Sequence, residues 1–315
     1  MALYGAVDQM LLWEKEATDE TAVVPTGYRA FDFYLKRGGL RRSHLAGLLG
    51  RSNVGKSGLL VNLASNMVGA GAPVLISTQE MSVAEMTNRL IAIHYELPVQ
   101  EIEDKAKAGG LWALRNESYV ADFEYLEIYD DDEPTVEQLG DAARAYRQKH
   151  GVMPVILQDF MELLSTEGIY GNEVVKVGRL ARKLKALARD LDTQVITLVQ
   201  VGRSKEHDIT ARNHGHVPLS MEDARWAGEQ AFDVMWGMYR PELDPDADNP
   251  LLLHGDKKEQ ERYELAQEKR LQFKNQAILQ TLKNRFGPRN DAGHPVDIDW
   301  KTMRFIERQP LARAG

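Results

Sequence analysis

Gly50-Arg51-Ser52-Asn53-Val54-Gly55-Lys56-Ser57 fits the pattern G-x-x-x-x-G-K-[ST], and its flanks decide how it reads. Residues 45–49 before it form a short apolar run like that of a buried parallel strand. After it, Leu59, Leu60, Leu63, Ala64, Met67 and Val68 recur at the spacing of one helix face. Strand, glycine loop and helix together are the setting of a phosphate-binding loop. Gly50 and Gly55 let the backbone turn tightly enough to aim successive N–H groups at one anion, where the helix dipole favours negative charge. The span from Gly50 through Arg51, Ser52, Asn53, Val54, Gly55, Lys56 and Ser57 to Gly58 is therefore the expected nucleotide cradle. Within it Lys56 would reach the β- and γ-phosphates and the Ser57 hydroxyl would ligate Mg²⁺. A glycine turn that merely contains Lys-Ser would leave the flanking pattern unexplained.

The chain has 315 residues, enough for one large domain or two with a substantial core. It has no cysteine, which excludes disulfides and thiolate metal sites. No apolar run reaches transmembrane length, and the N-terminus lacks the basic start and apolar core of a signal peptide, so a cytoplasmic location is expected. The formal net charge of −8 argues only weakly against nucleic acid. A protein that encircles a strand needs positive charge on its inner surface alone.

Three further strand ends carry candidate chemistry. The apolar run at residues 73–77 leads into Gln79-Glu80-Met81-Ser82, and a carboxylate at that end of a parallel strand lies where such sheets bind ligands. Glu80 can hold an attacking water and take its proton. It can also read as a helix-start residue, but Ser82 and Glu85 already supply an S-x-x-E cap, which favours catalysis. Pro154-Val155-Ile156-Leu157-Gln158-Asp159 is an apolar strand ending in an acid, and Asp159 would fix the Mg²⁺ water shell. Residues 195–199 form a buried strand ending at Gln200, an amide placed to sense the γ-phosphate.

Elsewhere the signals are weaker. Leu3, Val7, Met10 and Leu11 share one side of a short N-terminal helix, which either docks on a neighbouring subunit or frays. Residues 87–110 read as helices, 125–129 as a strand, 130–133 as a solvated acidic turn and 136–150 as a helix. Residues 173–191 form a helix with a basic face. The loop at 202–218 is long and polar, carries Arg203, Lys205 and Arg212, and reads as functional or disordered. Its His207, His214 and His216 lack metal-ligand partners and read as facing solvent or DNA. Residues 165–172 are a second candidate loop. Residues 231–239 read as a strand, and 241–270 as a charged insertion with a surface helix from Asp256. A strand at 277–281 runs on to Lys283 and Arg285, and a hairpin-like tail closes the chain at 296–306. Lys-x-Arg on a strand is by itself more often surface charge than an arginine finger.

Taken in order, Pro25-Thr26-Gly27, the loop with Arg51, Gln79-Glu80-Met81-Ser82, Asp159-Phe160, residues 183–191 before the Gln200 strand, Glu229-Gln230 with Asp233, and Lys283-Asn284-Arg285 with Gly287-Pro288 resemble the C-terminal ATPase domain of DnaB-family replicative hexameric helicases. The resemblance runs from about Pro25 onward, leaving out 241–270. It implies an α/β fold: a RecA-like P-loop NTPase core with a mostly parallel twisted sheet flanked by helices and a C-terminal β-hairpin. Residues 1–20 would be a linker and oligomerisation helix packing on the adjacent subunit, and 21–315 the ATPase domain. It further implies ATP and Mg²⁺ at subunit interfaces, single-stranded DNA in the channel of a homo-hexamer, and a helicase loader or primase as possible partners. Family roles carry over to Lys56 and Ser57 on phosphate and metal, Glu80 as base, Asp159 on metal and Gln200 as sensor. Lys283 and Arg285 become cations acting in trans, which reverses their default reading.

The sequence also departs from the family. On this reading the family's helical N-terminal domain is not expected here, so a primase-binding collar is not implied, and a trimmed chain would suit a viral or mobile-element origin. Where the family carries an Arg-Glu-Ser-Gly-like DNA segment, Asp223-Ala224-Arg225-Trp226-Ala227-Gly228 stands instead, with Arg225 and Gly228 the best matches. With Arg203 and Lys205 these are the expected DNA contacts. The expected function is an ATP-driven replicative DNA helicase. The alternative is a RecA-like recombinase filament or a helicase-loader scaffold that binds ATP and DNA without unwinding. A ring ATPase acting on protein fits the tail and the Gln200 region less well.

Overall fold

Residues 45–50 form a strand of six buried residues in succession, and an extended run buried on both sides satisfies its backbone inside a sheet covered on both faces. The computed structural model of the chain describes residues 22–109, 123–166, 173–201 and 215–308, with Met10, Glu14, Thr18 and Asp19. The expected N-terminal helix, most of the 202–218 loop with Arg203, Lys205, His207 and His214, and most of the 165–172 loop lie outside these residues.

In chain order the strands are β1 (Val23–Val24), β2 (Leu40–Arg41), β3 (Leu45–Gly50), β4 (Val74–Thr78), β5 (Leu126–Asp130), β6 (Val155–Gln158), β7 (Val195–Gln200), β8 (Val234–Tyr239), β9 (Gln276–Asn284), β10 (Asn290–Asp299) and β11 (Arg304–Glu307). The longer helices are α1 (Lys56–Gly69), α2 (Val83–Tyr95), α3 (Val99–Lys107), α4 (Val136–His150), α5 (Glu173–Asp190) and α6 (Lys257–Gln272). β1 and β2 pair by themselves, while the others form one sheet in the order β11-β10-β9-β8-β3-β7-β6-β4-β5. From β8 to β5 all neighbours are parallel. β9, β10 and β11 extend the sheet as an antiparallel meander, so the expected tail hairpin is part of the main sheet.

Two apolar clusters cover the two faces. One joins α1 and α2 to Phe31, Trp236 and Phe305. The other joins α4 and α5 to Phe232 and Leu282. The helix starts follow local chemistry: Ser82 with Glu85, Thr135 with Gln138 and Asp256 with Glu259 each form a capping box. The helical reading of 87–110 is interrupted at Leu97-Pro98, because a residue before proline avoids the helical region. The strand read at 231–239 begins only at Val234. Residues Glu229–Ala231 form a 3₁₀ turn, and Asp233 uses its carboxylate to accept the Leu45 N–H at 2.9 Å.

The charged segment after β8 holds two 3₁₀ turns, a short helix and α6. Arg262 on Asp246 and Arg270 on Asp248 fasten α6 to those turns, at 2.9 and 2.6 Å. No helix among the described residues is long and apolar enough to cross a membrane.

Trp236 is fully buried and stacks on Phe31 with ring centroids 4.5 Å apart. Its indole N–H has no hydrogen-bond partner among the described residues. Trp236→Ala is expected to cost about 3–5 kcal/mol by emptying this space. Trp236→Phe keeps a ring and removes the orphaned donor, so its loss should be clearly smaller. Urea midpoints of the two variants check the order.

Candidate nucleotide site

Because β3, β4, β6, β7 and β8 run parallel, their C-terminal ends share one edge of the sheet, and the residues that follow them meet there. After β3 the loop turns through Asn53 at φ 63° and Gly55 at φ 103°, left-handed backbone that glycine adopts freely. A Cβ at Gly55 would also lie 3.3 Å from the Phe305 ring.

Lys56 opens α1. Its buried ammonium donates to the carbonyls of Gly50 at 2.8 Å and Arg51 at 2.7 Å, and sits 5.2 Å from the centre of the Phe160 ring. Burial pulls its pKa down to about 8, against the charges of Glu162, Glu80 and Asp159, which favour the ammonium. A bound phosphate would compete with two neutral carbonyls for this cation.

The Ser57 hydroxyl can donate to Asp159 Oδ1 at 3.2 Å or to Glu80 Oε2 at 3.5 Å. The turn carrying Glu80 is closed by Thr78, whose Oγ1 donates to the Met81 carbonyl at 3.0 Å and accepts the Met81 N–H at 3.3 Å. With Ser82 capped by Glu85, Glu80 is left exposed on the cleft wall.

Asp159 is fully buried, and burial, with the nearby Glu80 charge adding, pushes its carboxyl up to about 7. Its Oδ2 has no hydrogen-bond partner among the described residues. An orphaned carboxylate oxygen beside a serine hydroxyl suits a hard divalent cation, so Ser57 and Asp159 fit the expected Mg²⁺. No group of three His, Asp or Glu side chains that could hold a metal occurs among the described residues, so such an ion would complete its shell with water and phosphate oxygens. Phe160 follows at φ 60°, a conformation that costs a bulky residue roughly 1–3 kcal/mol and lays its ring by Lys56.

Lys56, Ser57, Glu80 and Phe160 line a cleft of about 200 Å³ whose walls also include Ser52, Asn53, Arg89, Gln200 and Trp300, with Asp159 buried just beneath Ser57. Gln200 pairs with Gly50 in the sheet register, and its N–H donates to Glu162 Oε1 at 3.0 Å. Three loop positions turn away from the cleft. Val54 is wholly in the core, Gly50 is the last strand residue, and the buried Arg51 side chain lies 3.9 Å from Asp223. A larger cavity of about 730 Å³ opens at the other sheet edge beside Pro73, Val155 and Gln194, and no residue of the phosphate loop lines it.

Sequence reading missed Arg89, Glu162, Trp300 and Phe305. Arg89 looks like any helical surface residue, and Trp300 and Phe305 reach the cleft only because the C-terminal meander folds back over α1. Arg240 lies over the Trp300 ring at 4.7 Å.

Lys283 and Arg285 lie at the opposite edge. β9 is antiparallel to β8, so Lys283 faces Met235 near the start of β8. The six residues of β3 separate that edge from the phosphate loop by roughly 17 Å. Lys283 donates to the Glu229 carbonyl at 2.6 Å, and Arg285 donates to the Gln230 carbonyl at 2.9 Å and pairs with Asp233 at 3.3 Å. Neither can serve its own chain's loop.

Of the expected DNA contacts, Arg225 belongs to the 3₁₀ helix Met221–Ala227, with its side chain outside the described residues. Gly228, at φ 70°, has a steric reason to be glycine: a Cβ there would fall 2.8 Å from the Gly178 Cα of α5. His216 does not face solvent as expected. It is buried, 3.8 Å from Asp244, because the chain at Gly215 packs against Val54 of the loop.

A family model described as the DnaB-like helicase C terminal domain matches residues 23–305. The replicative DNA helicase DnaB of Pasteurella multocida is 28% identical over 247 residues, covering 74% of this chain and 50% of that protein. The replicative DNA helicase DnaB of Buchnera aphidicola subsp. Acyrthosiphon pisum is 29% identical over 231 residues, covering 71% and 48%. The chain thus spans about half the length of the curated relatives it matches. A solved DnaB-like replicative helicase, described with its interactions with primase, superposes with a TM-score of 0.70 at 20% identity, over 98% of this chain and 68% of that one, which shows a shared fold. With the family model spanning nearly all of the described fold, the chain belongs to the DnaB-like helicase C-terminal domain family.

Proposed function

We propose that this chain is the motor domain of a replicative DNA helicase, hydrolysing ATP at the interfaces of a six-membered ring to move along single-stranded DNA and part a duplex. The observation that carries this reading is the division of the site: Lys56, Ser57, Glu80 and Asp159 meet at one sheet edge, while Lys283 and Arg285 project from the other. A ring brings one edge of each copy to the opposite edge of the next.

Within this reading Lys56 leaves the loop carbonyls for the β- and γ-phosphates. Mg²⁺, held by Ser57 with Asp159, would supply charge neutralisation on the phosphate oxygens when bound. Glu80 takes a proton as water attacks the γ-phosphorus in line and the bond to the ADP oxygen breaks. Arg285 and Lys283 of the adjacent copy stabilise the charge spread over the transferring group. Gln200, level with the loop, is placed to register the γ-phosphate and pass its presence to the 202–218 loop. DNA contact is to backbone phosphate and therefore salt-sensitive. A cytoplasmic setting, and a loader or primase as partner, accompany this reading.

Glu80→Gln should abolish turnover while retaining nucleotide, checked by rapid-quench hydrolysis beside binding of a fluorescent ATP analogue. Fast hydrolysis by that variant removes Glu80 from its role.

Asp159 yields a second test. Its folded pKa lies near 7, well above the unfolded value near 4, so the folded state holds the proton more tightly between them. Stability from this group is complete below the unfolded value and is lost as pH rises through about 7. Asp159→Asn should therefore stabilise the nucleotide-free protein at pH 8 by on the order of a few kcal/mol and leave it nearly unchanged at acid pH. The same variant should lose hydrolysis. Equal melting shifts at both pH values would contradict the assignment.

The functional test is ATPase rate with and without single-stranded DNA, run beside strand displacement on a forked duplex. Stimulated hydrolysis with displacement is expected; stimulated hydrolysis without it favours the scaffold alternative.

A further inference from the structure

Three groups that come late in the chain hold both cations of the far sheet edge. The Glu229 carbonyl accepts from Lys283, the Gln230 carbonyl accepts from Arg285, and the Asp233 carboxylate pairs with the Arg285 guanidinium. The Asp233 carbonyl also accepts the Arg285 N–H at 2.9 Å, which fixes where the side chain leaves the backbone. Asp233 is itself immobilised. Its buried carboxylate accepts from Leu45 N–H at the start of β3 and from Lys185 of α5 at 2.6 Å. Arg285 stays nearly half exposed, so a group anchored on one side still presents donors outward. The segment that carries the two carbonyls leaves the helix Met221–Ala227 at Gly228, which is pressed against Gly178. Burial and the Arg285 charge lower the Lys283 pKa, as two cations held close together require.

We propose that Glu229, Gln230 and Asp233 form a cradle that sets the reach of Lys283 and Arg285 toward the adjacent copy, and that Asp233 is a positioning residue for a phosphate site that it does not touch. This inference rests on the shared-site reading above. Its geometry is specific. A planar guanidinium satisfied on one side by a carboxylate and a carbonyl keeps its remaining donors in a fixed direction. Without the carboxylate, the same side chain samples many rotamers.

The test uses mixed assemblies. Asp233→Asn keeps an oxygen acceptor and removes the charge. Alone, it should lose about tenfold or more in kcat, a fraction of an arginine finger's effect, with KM for ATP near wild type. Mixed one to one with Lys56→Ala subunits, which have a defective loop and an intact cradle, it should recover. About a quarter of the interfaces then pair a sound loop with a sound cradle, so activity should rise to about that fraction of wild type. Arg285→Ala mixed with Lys56→Ala is the control for the shared site. Recovery in the Arg285 mixture but not in the Asp233 mixture overturns this inference alone. Recovery in neither overturns the shared site and this inference with it. Full activity of Asp233→Asn on its own also overturns it. If Asp233→Asn fails to fold, Asp233→Glu retains the carboxylate for Leu45 and Lys185 while displacing the Arg285 contact by one methylene, and the same mixtures apply.

Discussion

β9 runs against β8, and this reversal governs what the sheet can do. Six parallel strands deliver their C-terminal ends, with the phosphate loop, Glu80, Asp159 and Gln200, to one edge. The reversed strand delivers Lys283 and then Arg285 to the other. A rigid sheet cannot fold one edge onto the other. On the proposed reading, hydrolysis then depends on assembly, because the cations that stabilise the transition state come from a second copy. Asp233 stands at this second edge. One carboxylate ties the first residue of β3, whose far end carries the phosphate loop, to the helix α5 and to Arg285.

The nucleotide edge is built from charges that are costly to hold. Burial drives the Lys56 pKa down to about 8 and the Asp159 pKa up to about 7, so the charged form of each is held at a cost. Loop carbonyls partly compensate the lysine, and the serine hydroxyl compensates one oxygen of the aspartate. Groups so arranged gain most when opposite charge arrives, so occupancy of the site should stabilise the fold.

Much of this was legible in the sequence. The phosphate loop announced itself because glycine, lysine and serine are needed at fixed offsets between strand and helix. Asp159 and Glu80 followed from their places at the ends of apolar strands. The cations were legible only through the ordered resemblance, since Lys-x-Arg on a strand carries no chemistry by itself. Arg51 and Val54 fit the pattern, yet their side chains leave the cleft for Asp223 and the core. Arg89, Trp300 and Phe305 were not legible, because tertiary approach rather than local spacing brings them to Lys56 and Ser57. His216 was misread for the same reason: its burial against Asp244 depends on how two loops cross.

The division of the site between two copies is tested most directly by a cryo-EM map of the assembled protein with a non-hydrolysable ATP analogue and single-stranded DNA. A shared site predicts each γ-phosphate in contact with Lys56 of one subunit and Arg285 of the next. Nucleotide contacted by one subunit alone, with Arg285 turned to solvent at every interface, would contradict it.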